Sequence, residues 1–243
     1  MNIDLSNRQH HILTRLTQQD YCSIDQLSSD FSITKQTVTR DINALCDLGL
    51  ARRQNGGVSV PASLENSNYL TRKASFSDVK HKIATQVAQQ IPNGSTVFLG
   101  IGTTISAIAE QLGQHQQLRI VTNNFEAAAI LSHYDHIETW IAGGRLRHND
   151  RDIIGESSDD LFQQFIADIG IISCAAVTPL QSVETSKKTI EWCLDHELQE
   201  AKVSQAIINN SLQTWLVAHE NKWHQQACSK VAPLTNFDQV FKG

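Results

Sequence analysis

From residue 77 onward, strand-length apolar runs alternate with helix-length amphipathic segments, and that alternation leaves few folds open to this part of the chain. Val79, Ile83, Val87 and Ile91 recur at i, i+4 spacing, the apolar stripe of a helix that Pro92-Asn93-Gly94 closes. A strand is predicted over 96–99, a helix over 104–112, a strand over 118–122, a helix over 125–131 and a strand over 139–142. Further strands are predicted over 168–173 and 214–218, with 185–210 largely helical between them. Strands separated by helices form parallel sheets with right-handed crossovers, so the expectation is a Rossmann-like α/β domain.

The segment before it has a different rhythm. Ile12, Leu13 and Leu16 mark one helix, and Ile24, Leu27 and Phe31 a short second one. Thr34 is an N-cap for a third helix that runs to about Leu48, with Gly49 as its stop signal. Asn55-Gly56 then sits between two short extended runs, a hairpin signal because such turns need φ > 0. Helices followed by a hairpin predict a winged helix-turn-helix. The 243 residues therefore divide into a winged helix-turn-helix over 1–60, a linker over 61–76 and an α/β domain over 77–243.

On a wheel of the third helix, Val38, Ile42 and Leu45 share the side that must face the other helices. Gln36, Thr39, Arg40 and Asn43 fall opposite, with Lys35 at the N-terminal flank, and Thr37 is counted with them as DNA-binding. Gln and Asn can read adenine and Arg guanine in the major groove. Arg52 and Arg53 open the hairpin, where they can hold phosphates. A merely solvated helix face is the bland alternative, and the added short helix, tight turn and basic hairpin weigh against it. The formal net charge is −5, so DNA contact must come from this local patch and not from the whole field.

The run Leu27 to Ile42, followed by Arg53-Gln54-Asn55-Gly56-Gly57, resembles the DeoR family of transcriptional repressors. The family pattern has Thr-hydrophobic-Arg-Arg-Asp in the recognition helix and His-Gly-Gly in the wing. Here Thr39 replaces the first Arg and Asn55 the His, while Arg40-Asp41 and Gly56-Gly57 match. Ile101-Gly102-Thr103-Thr104, Thr122-Asn123-Asn124, Ala142-Gly143-Gly144 and Ile153-Ile154-Gly155-Glu156 extend the resemblance over the whole chain. It implies a C-terminal domain similar in fold to ribose-5-phosphate isomerase, which binds a phosphorylated sugar or polyol and thereby releases DNA.

The residues alone point to the same region. Gly102-Thr103-Thr104, Thr122-Asn123-Asn124 and Gly143-Gly144-Arg145 each follow a predicted strand, and strand-end loops of a parallel sheet converge on one crevice. Backbone N–H groups and threonine hydroxyls there suit an anion, although such glycines also serve simply as tight turns. Three departures from the family concern carboxylates. Gly100 stands where an Asp usually precedes Gly-Thr-Thr, Ala176-Val177-Thr178 replaces a Gly-hydrophobic-Asp, and His219-Glu220-Asn221-Lys222 replaces Asp-x-Ser-Lys with only Lys222 matching. The expectation is a kept anion site and an altered hydroxyl-reading half. A regulator that no longer senses a small molecule is the alternative. An isomerase-like enzyme needs a carboxylate base, which Gly100 and the lost Asp argue against.

No catalytic residue, metal or cofactor is expected. There is no Gly-x-Ser-x-Gly, Walker loop or full dinucleotide fingerprint, and His133-x-x-His136 lacks supporting ligands. Five scattered cysteines without a Cys-x-x-Cys, no signal-like N-terminus and no apolar run near the ~20 residues of a membrane span predict a reduced cytoplasmic protein. DNA half-sites imply a homodimer or tetramer.

Overall fold

The computed structural model describes residues 5–19, 21–48, 50–54, 56–59, 69–74, 76–181 and 189–243. Asn55, Gly49 and the linker residues 61–68 lie outside the described residues, as does 185–188 of the segment read as helical. By contact the chain forms two units, Met1–Glu65 with Leu70–Phe76, and Asn66–Tyr69 with Ser77–Gly243.

In the first unit, α1 (Asn7–Gln19), α2 (Ile24–Asp30) and α3 (Lys35–Asp47) surround a core of Ile12, Leu16, Leu27, Val38, Ile42 and Leu45, all fully buried. Ser23 caps α2 by accepting from the Gln26 N–H, and Thr34 caps α3 by accepting from the Thr37 N–H, so each start is set by one side-chain oxygen. Between α2 and α3, Ser32 adopts φ +51 and the Ser28 hydroxyl donates to the Ile33 carbonyl at 2.6 Å, which closes the turn. The wing has strands β1 (Tyr21–Ser23), β2 (Arg52–Gln54) and β3 (Gly57–Ser59), in the order β1-β3-β2. The two wing glycines have separate reasons. Gly56 turns at φ +73, and a Cβ on Gly57 would stand 2.2 Å from the Cys22 carbonyl oxygen of β1.

The second unit is built on a six-stranded parallel sheet in the order β14-β12-β9-β4-β5-β6. Its strands are β4 (Thr96–Leu99), β5 (Arg119–Thr122), β6 (Glu138–Ile141), β9 (Ala167–Ile172), β12 (Ser211–Val217) and β14 (Gln239–Phe241). Alternation places Val97 and Leu99 in one core, with α5 (Ser77–Ala88) and α6 (Thr103–Ala109), and Phe98 in the other. The second core also takes Phe162 of α8 (Glu156–Gln163) and Ala201 and Ile207 of α9 (Leu198–Asn209). Helix α7 (Phe125–Leu131) follows β5; a short helix α4 (Tyr69–Ala74) begins at Tyr69 of this unit and runs on in Leu70–Ala74 of the first. Beside the sheet lie a hairpin of β7 (Arg145–Arg147) and β8 (Asp152–Ile154), and a three-stranded sheet of β10 (Ala176–Gln181), β11 (Thr189–Asp195) and β13 (Ser229–Pro233).

The helical expectation for 185–210 is corrected in its first half. Thr189–Asp195 is strand β11, and helix begins only at Leu198. Thr189-Ile190-Glu191-Trp192 alternates outward and inward with period two, and the strand pairs with β10 over Thr189–Leu194 and with β13 from Trp192 on. The helical propensity of the following residues is real: a capping box of Glu197 and Glu200 starts α9.

Candidate functional sites

The exposed residues of α3 are Lys35, Gln36, Arg40, Asn43 and Asp47, so Gln36, Arg40 and Asn43 stand on one free face one or two turns apart. The threonines are more occupied. The Thr37 hydroxyl meets that of Thr34 at 2.9 Å, and the Thr39 hydroxyl donates to the Lys35 carbonyl at 2.8 Å. Lys35 pairs with Asp25 at 2.7 Å, but both side chains are exposed, and such a pair opens easily to a phosphate. Arg52 and Arg53 are exposed on the wing. Asp41, next to Arg40, points inward and binds Arg8 of α1, so that half of the Arg-Asp motif holds the helices together.

In the second unit, parallel registers set Leu99 of β4 beside Thr122 of β5 and Ile171 of β9, and Thr122 beside Ile141 of β6. The loops at Gly102-Thr103-Thr104, Thr122-Asn123-Asn124 and Gly143-Gly144-Arg145 therefore leave the same edge of the sheet, as expected. Strand β12, paired with β9, ends on that edge too and leads to His219 and Lys222.

Several of these side chains are committed internally. The Thr122 hydroxyl donates to the Leu99 carbonyl at 2.7 Å and accepts from the Asn124 N–H. Asn124 caps α7, accepting from the Ala127 N–H, and donates to the Gly102 carbonyl at 3.2 Å. Gly102 turns at φ +115 to begin α6, and Thr103 and Thr104 are buried within it. Asn123 is buried, and its Nδ2 donates to the Ile153 carbonyl at 3.3 Å. Its Oδ1 has no hydrogen-bond partner among the described residues. A buried acceptor left open in this way is unusual. Gly144 has φ +145, and a Cβ there would stand 2.4 Å from the Ile154 carbonyl oxygen, so β8 requires it to be glycine. Gly143 and Arg145 are exposed.

The structure adds Lys80, which motif reading missed. It is buried on the inner face of α5 with Ile83, Ala84 and Val87, and buried lysines are rare unless something pairs with them. A cation on the apolar stripe was the available sequence signal. Burial, helped by the charges of Lys222 and Lys80, pushes the His219 imidazole down to about 3, so it is neutral and two cations stand near it. Lys222 also bears on Asp195, whose burial and neighbour Glu200 push its carboxyl up to about 7.

A winged helix-turn-helix joined to an α/β domain with cations and strand-end loops on one sheet edge is the make-up of a transcription regulator with a sensor domain. The sequence matches the DeoR-like helix-turn-helix domain over residues 8–64 and the DeoR C terminal sensor domain over 75–243. It is 39% identical over 238 residues to the glycerol-3-phosphate regulon repressor of Haemophilus influenzae, covering 98% of this chain and 89% of that one. It is 36% identical over 236 residues to the repressor of the same name from Escherichia coli, covering 97% and 90%. Among solved structures, ribose 5-phosphate isomerase A from Methanocaldococcus jannaschii matches with a TM-score of 0.43 at 15% identity, covering 61% of this chain and 55% of the other. The chain belongs to the DeoR family of transcriptional repressors. Its relatives by sequence are repressors and not enzymes, and no described helix is long and apolar enough to cross a membrane.

Proposed function

We propose that this cytoplasmic repressor controls genes of carbohydrate or polyol metabolism and leaves its operator when it binds a phosphorylated sugar or polyol. Glycerol 3-phosphate is the first candidate, from the names of its relatives. The observation that carries the reading is Lys80 and Lys222 beside a neutral His219 on the edge where the strand-end loops gather. Two lysine side chains on one edge suit a phosphate dianion.

In this reading, backbone N–H groups at Gly102, Thr103 and Thr104 and the loop Gly143-Gly144-Arg145 complete the anion site with Lys222. Asn123 offers its open Oδ1 to a hydroxyl of the ester, while Thr122 and Asn124 set the loop that presents it. On the DNA side, Gln36, Arg40 and Asn43 read bases, with Thr37 and Thr39 against the backbone. Lys35, Arg52, Arg53 and the wing residue Asn55 hold phosphates. Two copies of the chain read two half-sites about 34 Å apart, and the working division is 1–60, 61–76 and 77–243.

The test is a binding titration on the DNA upstream of its own gene at fixed salt, with and without a panel of phosphorylated sugars and polyols. One ester is expected to weaken specific binding about tenfold or more, ~1.4 kcal/mol of coupling. Specific binding that no ester moves would mean that the sensor no longer takes this class of ligand.

A further inference from the structure

The hairpin β7–β8 has two ends with different neighbours. Its base continues directly from Gly143-Gly144, and its returning strand is fastened to the loop after β5. Ile153 donates to the Asn123 carbonyl at 2.8 Å, Asn124 bridges to Asp152, and Phe125 donates to the Arg151 carbonyl at 3.0 Å. Its tip faces Tyr69. The Tyr69 N–H donates to the Asn149 carbonyl at 2.7 Å, and the Arg151 guanidinium lies 5.4 Å from the centre of the Tyr69 ring. The same guanidinium binds Glu126, in the first turn of α7, at 2.6 Å. Arg151 holds this position from a left-handed backbone, φ +53, which an arginine adopts only under constraint from its surroundings.

Tyr69 is fully buried and belongs to the sensor, while Leu70–Phe76, which follow it directly, belong to the DNA-binding unit before the chain returns to the sensor at Ser77. One small hairpin therefore touches the loops proposed to hold the effector, and, at its tip, the residue of the linker that directly precedes Leu70–Phe76 of the DNA-binding unit. The hairpin is also stiff. Arg147 at its turn binds Asp152 of β8 as well as Glu197 and Glu200 at the start of α9. A stiff element in contact with two places can carry a displacement from one to the other.

We propose that the β7–β8 hairpin transmits effector occupancy to the DNA-binding unit by gripping Tyr69 through Asn149 and Arg151. A ligand at Gly143-Gly144-Arg145 and Asn123 shifts the base of the hairpin, and the grip on Tyr69 changes with it. The inference rests on the effector reading above, and wild-type behaviour tests that reading first.

The variants are Arg151→Gly, Tyr69→Ala and Arg151→Lys in the full chain. Glycine relaxes the left-handed backbone while removing the cation, so Arg151→Gly does not depend on a strained fold. Operator affinity is measured on the upstream DNA with and without glycerol 3-phosphate and the other esters, and ester affinity by calorimetry. Arg151→Gly and Tyr69→Ala are expected to keep ester affinity and unliganded operator affinity within about twofold of wild type. The ester-induced weakening of operator binding falls from about tenfold to under about twofold. Arg151→Lys, which keeps a cation over the ring, retains most of the response. Linkage adds a second reading: saturating operator DNA weakens ester binding in the wild type by the same factor, and leaves it unchanged in Arg151→Gly.

A full response in Arg151→Gly overturns the proposal. Loss of ester binding in Arg151→Gly also overturns it, since the tip would then be part of the pocket. If no ester moves the wild type, the effector reading has failed, and this inference falls with it.

Discussion

Arg40 and Asp41 are neighbours whose environments separate their roles. Arg40 is exposed on α3, while Asp41 is buried against Arg8. Arg40→Ala should therefore weaken specific operator binding by about 1–3 kcal/mol and relax preference at one base pair. Asp41→Ala should instead lower the thermal midpoint of the DNA-binding unit. Anisotropy titrations beside melting curves separate the two, and unchanged operator affinity in Arg40→Ala would show that another face of the helix enters the groove. In the sensor, His219 and Asp195 shape the response to pH. Burial, with Lys222 and Lys80 facing it, holds His219 neutral down to about pH 3. The unfolded chain protonates this histidine near its ordinary 6.5, so it removes stability as pH falls from there toward 3. Asp195 is raised to about 7 from an ordinary 3.8 by burial and Glu200, against the hydrogen bonds from Ala175 and Ser204 and the charge of Lys222. The folded chain thus keeps a proton that the unfolded chain has released, and stability falls as pH rises from about 4 to 7. The two slopes oppose each other, each at most ~1.4 kcal/mol per pH unit. Relative to wild type, Asp195→Asn should gain stability between pH 4.5 and 6.5, and His219→Asn should lose it, by urea denaturation at the two pH values. Parallel curves for Asp195→Asn and wild type would remove Asp195 from the account.

At the scale of elements, the hairpin β7–β8 depends on one buried guanidinium and one glycine. Burial works to lower the pKa of Arg147, but hydrogen bonds to Asp152 and Glu200 outweigh it and keep the residue charged. Arg147→Ala strands two buried carboxylates and should cost about 3–5 kcal/mol in urea denaturation. Gly144→Ala places a methyl against the Ile154 carbonyl and should cost about 1–3 kcal/mol. A loss below ~0.5 kcal/mol in either case would mean that the hairpin is not held as described. Apart from Gly144, none of this was legible in the sequence. Arg145 to Ile154 has neither a two-residue turn signal nor an apolar alternation, because its stability comes from Arg147 reaching α9, about fifty residues away. The sheet was legible because its strands read as apolar runs, both the central ones buried on two faces and the exposed edge strand β6: 96–99, 118–122, 139–142, 168–173 and 214–218 all fall on strands to within a residue. β11 was misread because it lies in a small antiparallel sheet directly before a strongly helical segment. The loops of the sensor edge were found from their glycines and asparagines. Lys80 was not, because a single lysine in a helix looks solvated until its stripe is known to face inward.

For the molecule as a whole, the net charge of −5 makes a prediction about how it meets DNA. A protein with a negative overall field gains little from long-range attraction, so its affinity must come from a few placed cations. Lys35, Arg52 and Arg53 are the phosphate partners proposed per copy, and two copies on paired half-sites give about six contacts. Counterion release then predicts that log affinity falls with log salt with a slope of about −5. Arg52→Ala and Arg53→Ala should each reduce that slope by about two, one contact in each copy, and weaken matched and mismatched sites alike. Arg40→Ala should change the slope less and the discrimination between sites more, since a base contact carries sequence information and a phosphate contact does not. The same titrations report assembly. Lys35 supplies a further check, because its partner Asp25 is exposed and pairing with DNA must displace it. Asp25→Asn should therefore strengthen binding slightly without altering site preference. A measured slope near −3 would place only a single copy on the operator, and would remove the paired half-sites from the mechanism.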